Sequence, residues 1–334
     1  MIDYLENIKD LCLDINKSIK IMEVCGGHTN TIMKYNIRDV LPSNIKLISG
    51  PGCPVCVTCQ EDIDSIIALA LAGIKIAIYG DMLYVRGSVI SLKDTIEKGA
   101  NIKIIYSTNE LTDLDKDRVF LGIGFETTIP MTAYLLSKGF CVFSSHKLML
   151  PAMKLIVEKN EIDGYILPGH VSCITGSEIF EKLEIAQVVS GFEKDEILRG
   201  IYKLVNLIKE NKKELINDYD LVVSKKGNLI AKKSIDKYFK VSDSNWRGLG
   251  VIKNSGLEPK DDNLNAKIKY AYLLKDIKSF ENKNCICGEV IRGDREPYEC
   301  KLFGISCIPK NPIGACMVSN EGACNIAYKY KNLK

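Results

Sequence analysis

Cysteine, histidine and glycine, gathered in a few short loops, carry the chemistry of this sequence. Thirteen cysteines occur in 334 residues. The number is odd and the residues cluster, where a disulfide framework would spread them; clustered thiols without a secretory leader point to metal binding or thiol redox work. Four Gly-rich loops hold most of the reactive side chains: Cys25-Gly26-Gly27-His28-Thr29, Gly50-Pro51-Gly52-Cys53-Pro54-Val55-Cys56, Gly122-Ile123-Gly124-Phe125-Glu126-Thr127-Thr128 and Pro168-Gly169-His170-Val171-Ser172. Cys25 stands between an apolar run and two glycines that open a helix, where the helix N-terminus favours the thiolate that binds metal or attacks; the alternative is a small buried hydrophobe. His28, three residues on, can face the same ligand. Cys53 and Cys56 form a CxxC, suited to a redox disulfide, half a zinc site or part of an iron–sulfur site. Cys59 extends it to CxxCxxC, the shape of a ferredoxin run. The preferred reading is a reversible dithiol/disulfide at Cys53–Cys56, with Cys59 a bystander. Glu126 follows Phe125 at a strand end, where desolvation would raise its pKa and suit it to proton transfer; the alternative is a carboxylate at the N-terminus of the next helix. His170 is read as functional, His146 as a satisfied loop residue, Cys12 and Cys141 as core, and Cys173 is left open.

Six more cysteines lie near the C-terminus: Cys285, Cys287, Cys300, Cys307, Cys316 and Cys324. Four thiolates complete a cubane or a zinc tetrahedron. Zinc ribbons use two tight CxxC knuckles, absent here, and the wide gaps containing Pro297, Pro309 and Pro312 suit an iron–sulfur cluster better. Spacing alone does not say which four bind. No Gly-Lys-Ser/Thr follows any Gly-rich loop, so a Walker loop is excluded, and Gly122-Ile123-Gly124 is too short for a dinucleotide fingerprint.

These loops need a scaffold that brings them together. Apolar runs at 19–24, 45–49, 74–79, 102–106, 119–123, 140–144, 164–167 and 186–189 read as strands, with helix-like stretches at 60–72, 127–137 and 151–159 between them. Such alternation predicts an α/β fold with open, mostly parallel sheets, whose ligands gather at the carboxyl ends of the strands. The expected architecture is two open α/β domains facing a cleft, plus an irregular Cys-rich iron–sulfur region; one eight-stranded barrel is the alternative. The boundaries expected are 1–115 for the domain with the Cys25 and Cys53/Cys56 loops, 116–214 for that with the Glu126 and His170 loops, and 215–334 for a C-terminal domain, the first split falling in the polar segment 109–117. A helical run at 193–214 leads into the third region. Composition excludes a disordered chain, and 45 basic against 42 acidic residues give a formal charge of +3, too balanced to imply a nucleic-acid or anionic-membrane partner. The stretch 66–77 is broken by Gly73 and Lys75 and is too short to span a membrane. The opening residues, with Asp3, Glu6 and Lys9, lack a signal-peptide apolar region, so a cytoplasmic protein, monomeric by itself, is expected.

Taken together the motifs resemble one family over nearly the whole chain, the hydrogenase maturation (expression/formation) protein HypD family. The resemblance rests on Met22-Glu23-Val24-Cys25-Gly26-Gly27-His28-Thr29, on Gly50-Pro51-Gly52-Cys53-Pro54-Val55-Cys56-Val57, on Gly122 with Phe125-Glu126-Thr127-Thr128, on Pro168-Gly169-His170-Val171, on Trp246-Arg247-Gly248-Leu249-Gly250, and on the tail Gly314-Ala315-Cys316-Met317-Val318-Ser319-Asn320-Glu321-Gly322-Ala323-Cys324. It implies a scaffold on which the Fe(CN)2(CO) group of [NiFe]-hydrogenase is assembled, working with a small chaperone, HypC, and with HypE, which delivers cyanide. It also implies two α/β domains around a cleft and a region holding a [4Fe-4S] cluster. The family's ligand spacing, Cys-x14-Cys-x6-Cys-x16-Cys, lands on Cys285, Cys300, Cys307 and Cys324, with Cys287 and Cys316 in reserve. Two positions depart from the family pattern: Asn30 stands where many members have a second histidine, and Cys59 where a proline is usual.

Residues and resemblance combine into one expectation. Cys25 supplies a thiolate to iron, since soft thiolates complement a low-spin Fe(II) carrying π-acceptor diatomics. His28, Glu126 and His170 act around it, while Gly26, Gly27, Thr29, Thr127 and Thr128 line the cargo site. The Cys53–Cys56 pair stores two electrons. The chain is then a cofactor-assembly scaffold with redox activity, not a free-standing metabolic enzyme. Two rivals are an iron–sulfur-dependent thiol–disulfide oxidoreductase acting on a protein client and a zinc-stabilised interaction scaffold.

Overall fold

Isoleucine- and valine-rich runs of four to six residues, buried on both faces, are the signature of parallel strands covered by helices, and all eight expected strands form. The computed structural model describes residues 3–159 and 162–330. Its strands are β1 (Ile19–Glu23), β2 (Ile45–Ser49), β3 (Ile76–Tyr79), β4 (Ile102–Ile105), β5 (Val119–Gly124), β6 (Cys141–His146), β7 (Gly164–Pro168), β8 (Ala186–Ser190), β9 (Leu215–Asn217), β10 (Phe239–Trp246) and β11 (Gly250–Pro259). They build a five-stranded sheet in the order β2-β1-β7-β8-β9, a four-stranded sheet in the order β4-β3-β5-β6, and a β10-β11 hairpin. Every pairing in the two larger sheets is parallel. Both sheets are open, so the barrel is excluded.

The contiguous division at 115/116 does not match this pairing. After β2 the chain leaves to build the whole four-stranded sheet, then returns through the helix Met149–Lys159 to lay β7 beside β1, Ile21 opposite Gly164. The polar segment that looked like a linker joins β4 to β5 inside one sheet. Its acids cap short 3-10 turns, and the buried Asp115 takes ion pairs from Lys103 and Arg118. Polarity there satisfies a turn; it does not mark a boundary.

Residues 215–334 likewise do not form one separate domain. β9 closes the edge of the five-stranded sheet, while the hairpin lies on the four-stranded one, where Ser144 donates to the Leu257 carbonyl. Its turn ties three regions together. Thr58 bridges to Trp246, and the Arg247 guanidinium donates to the Thr58 carbonyl, to Gln60 and to Glu281. Gly248 has φ +79°, and a Cβ there would lie 2.6 Å from the Gly288 Cα, so glycine is what lets the Cys-rich segment touch the turn. That segment is irregular, as expected, with only short helices at Cys287–Arg292, Ala315–Val318 and Ala323–Tyr330. Among the described residues no helix is long and apolar enough to cross a membrane.

Candidate functional site

Every strand of the five-stranded sheet ends, at its carboxyl edge, in a loop that contributes to one site. Cys25 follows β1 and caps the helix Gly26–Lys34 with extended backbone, φ −150°. Its thiol is buried at 3% exposure. His170, in the first turn of the helix Gly169–Thr175 that follows β7 directly, places Nε2 3.6 Å from Cys25 Sγ. His28, on the helix after Cys25, points Nε2 at the Gly191 carbonyl, 2.9 Å away in the loop after β8. A carbonyl only accepts, so Nε2 carries the proton and Nδ1, buried and without a partner, is left as an acceptor. Phe192 lies between the two imidazoles, with both ring centroids 4.8 Å from its own and near-parallel planes, and Tyr219 after β9 meets its edge.

The expected thiolate is not favoured by the protein alone. The N–H groups of Gly27 and His28 do point at the Cys25 sulfur, but burial outweighs them and pushes the thiol up to about 12. Desolvation holds His28 down to about 4 and lowers His170 as well. The resting arrangement is therefore a neutral thiol in contact with a neutral imidazole.

The dithiol loop after β2 presses on this site. A Cβ at Gly52 would lie 2.3 Å from the Cys25 backbone nitrogen, so the two loops are in backbone contact. Cys53 and Cys56 are joined by a disulfide. Cys59 is apart from it, buried at the start of the helix Gln60–Leu71 near Asp62, and pushed up to about 11 by burial. Thr29, Gly52, Cys53, Cys56, Cys316 and Glu321 line a cavity of about 10 Å³, room for roughly one water. Gly26 allows the close approach of Glu321, whose Cβ would be 2.4 Å from one added there.

Two residues of this site escaped the sequence reading. Phe192 follows a strand and a glycine, as the reactive residues of the other loops do, but a phenylalanine there reads as core until its two imidazole neighbours are in place. Glu23 ends β1 as a lone carboxylate in an apolar strand. It accepts the Cys25 N–H at 3.1 Å and the Thr29 hydroxyl at 2.5 Å, and burial raises it to about 7. Thr29 thus braces Glu23 with its hydroxyl while lining the small cavity beside the disulfide. Asn30 accepts from the Tyr330 hydroxyl and helps seat the last helix.

Glu126, Thr127 and Thr128 lie at the carboxyl edge of the other sheet. Glu126 accepts the Met149 N–H through Oε1, its Oε2 is buried without a partner, and burial lifts it to about 7. The Thr128 hydroxyl is spent on the carbonyls of Ile123 and Phe125 in its own turn. No hydrogen bond among the described residues joins this loop to Cys25, although β5 packs against the Pro54–Val57 turn and Phe125 stacks on Trp246. His146 is satisfied by Thr132 and Gly124, and Cys12 and Cys141 are core. Cys173 reaches the Val222 carbonyl, at 3.9 Å.

In the Cys-rich segment all six thiols are neighbours. Cys285 feels Cys287 most, then Cys324 and Cys300, and Cys307 feels Cys324 and Cys300. These four fit a cluster by their chemistry: soft donors on separate loops, with the Ile313 N–H donating to Cys307 Sγ at 3.3 Å and Gly314 leaving room beside Cys285, where a Cβ would lie 2.6 Å from Sγ. No three His, Cys, Asp or Glu among the described residues converge tightly enough to hold a single ion. Cys287 and Cys316, the reserve ligands, touch each other, their sulfurs 2.6 Å apart and both buried, and they also face the other four, Cys316 through a hydrogen bond with Cys324 and Cys287 beside Cys285. Cys316 also lines the cavity beside Cys53 and Cys56, so the buried pair adjoins the disulfide.

The order of these motifs can be compared with known proteins. The family model described as HypD, hydrogenase formation hypA family, matches residues 1–331. The chain belongs to the HypD family. It is 40% identical to a putative hydrogenase expression/formation protein of Methanocaldococcus jannaschii, covering 98% of this chain and 96% of that one. It is 39% identical to the hydrogenase maturation factor HypD2 of Bradyrhizobium diazoefficiens, over 95% and 90% of the two chains. Against the hydrogenase maturation factor HypD of Escherichia coli the figures are 35%, 99% and 94%. Its place in hydrogenase maturation follows from that membership.

Proposed function

We propose that this HypD-family chain holds the iron of the Fe(CN)2(CO) group on Cys25 while the diatomics are attached, with HypC supplying a second thiolate and HypE the cyanide. The observation that carries the reading is the Cys25–His170 contact, backed by the disulfide loop in backbone contact with Cys25. Iron binding requires the thiol to lose its proton, and His170 Nε2 is the acceptor within reach. His170 is solvent-exposed, so a partner's cysteine can approach from that side while His28 and Phe192 close the other. Reducing the Cys53–Cys56 disulfide takes two electrons and two protons and yields two thiols beside the iron. A [4Fe-4S] cluster held by Cys285, Cys300, Cys307 and Cys324 would supply single electrons when bound. Cys287 and Cys316 lie between those ligands and the Cys53–Cys56 disulfide and can carry an electron pair as a dithiol.

Metal analysis and a visible spectrum of anaerobically purified protein test the resident group. Four irons per chain and a brown chromophore lost in Cys307→Ser support it; zinc and a colourless protein favour the zinc scaffold and end this reading. Bound cyanide and CO, read by infrared spectroscopy, separate the scaffold from a thiol–disulfide oxidoreductase.

A further inference from the structure

A row of hydrogen bonds leads away from the backbone of Cys25, across the end of β2. Glu23, buried at the end of β1, accepts the Cys25 N–H through Oε2 and the Thr29 hydroxyl through Oε1. Ser49, its partner across the ladder at the end of β2, donates to the same carboxylate. Ser49 Oγ in turn accepts from Arg38 Nη2 at 3.0 Å. A hydroxyl has one proton, and with the guanidinium as donor on its other side that proton goes to Glu23, so all three groups around the carboxylate donate. Arg38 stands in the single turn Ile37–Val40, which Asn36 starts with a left-handed φ of +51°. Its Nη1 donates at 2.8 Å to Glu296, the residue that caps the turn Pro297–Glu299 just before Cys300. The order is Glu296, Arg38, Ser49, Glu23, Cys25. Stability does not account for this row. The Arg38 and Glu296 side chains are 20% and 31% exposed, a setting in which an ion pair adds little. Arg38 Nε is buried with no hydrogen-bond partner among the described residues, which costs stability.

We propose that Arg38, acting through Ser49 and Glu23, is a positioning residue for Cys25: it locks the carboxylate that holds the Cys25 backbone and so fixes the direction in which the sulfur meets iron. The inference rests on the reading of Cys25 as the iron anchor. The two ends of Cys25 are held separately. The N–H groups of Gly27 and His28 point at its sulfur, whereas its own N–H is spent on Glu23. An amide at position 23 would turn an N–H toward one of three donors and break the row. Lysine at position 38 would not serve either, because the planar fork of arginine reaches Ser49 and Glu296 at once and a single ammonium has no such fixed geometry. Groups that orient a metal ligand without touching the metal are worth about 10–100-fold in metal affinity.

The test uses the full chain in its anaerobic complex with HypC. The half-life of the CO infrared band under a soluble iron chelator reads how firmly the cargo is held, and the band position reads the surroundings of the thiolate. Glu23→Gln should shorten the half-life about 10–100-fold and shift the band. Arg38→Met should shorten it roughly tenfold, the lower end of that range, and shift the band the same way, with a urea midpoint close to wild type. The double variant should be no worse than Glu23→Gln alone, because both changes break one row. If Glu23→Gln does not fold, Arg38→Met, changed at a partly exposed side chain, decides by itself. A wild-type half-life and band position in Arg38→Met overturn the proposal. A lowered urea midpoint with an unmoved band overturns it too, since Arg38 is then merely structural, and additive losses in the double variant show that Arg38 does not act through Glu23. Bands that survive Cys25→Ala refute the anchor reading itself, a result distinct from bands lost in Cys25→Ala yet untouched in Arg38→Met.

Discussion

Gly52→Ala is the sharpest probe of how the site is assembled. The added Cβ would sit 2.3 Å from the Cys25 nitrogen and 2.5 Å from its Cα, against an optimum of about 3.5–4.0 Å for non-bonded carbon contacts. Both obstacles are backbone, so no rotamer relieves them and the two loops must part by about 1 Å. Overpacking of this kind costs about 1–3 kcal/mol, and a displacement near 1 Å at a reacting group costs on the order of 10²-fold. Urea denaturation should show a stability lower by about 2 kcal/mol, and the CN and CO infrared bands of the anaerobic complex should fall at least tenfold. Gly80→Ala is the control, because its Cβ meets nothing closer than 3.4 Å; it should change stability by less than about 0.5 kcal/mol. A Gly52→Ala protein with wild-type stability and full bands would refute the claim that the two loops touch and that their contact sets the Cys25 position.

Three further outcomes are expected. Phe192→Ala removes the slab between His28 and His170, should cost about 1–3 kcal/mol given two stacked partners, and should lower retention of iron cargo measured by metal analysis. Glu126 has a folded pKa of about 7, above its ordinary 4.5, so its proton favours the folded state below pH 4.5 and that contribution is lost as pH rises through 7. Glu126→Gln should therefore gain stability relative to the wild type by up to about 1.4 kcal/mol per pH unit between pH 4.5 and 7, and show a constant difference outside that window; a flat difference throughout would show the carboxyl is not held protonated. Cys287→Ser should keep the brown chromophore yet leave Cys53–Cys56 oxidised after dithionite treatment, read by alkylation and mass spectrometry. Full reduction there would remove the buried pair from the electron path.

Much of the site was legible because glycine and a reactive side chain recur after apolar runs, and parallel strands deliver such loops to one edge. Cys25, His28, Cys53, Cys56 and His170 were singled out that way, and the structure brings them together. What the sequence hid was long-range pairing: nothing local tells β1 that its neighbour is β7, some 140 residues on, and the capped turn at 109–117 has the polarity of a linker. The hairpin was missed because one face of β10, in Lys240, Ser242 and Ser244, is polar without a clean alternation. Phe192 and Glu23 look like ordinary core and helix-start residues until the neighbouring loops are in place. The Cys25 pKa went the other way from expectation because a helix N-terminus of two N–H groups is weaker than complete burial.

Infrared spectroscopy of the complex with HypC, purified without oxygen, bears most directly on the central claim. The wild-type complex should show two cyanide bands and one CO band, and Cys25→Ala should lose all three while keeping the visible chromophore of the Cys-rich segment. Bands of undiminished strength in Cys25→Ala would mean that the iron is anchored elsewhere.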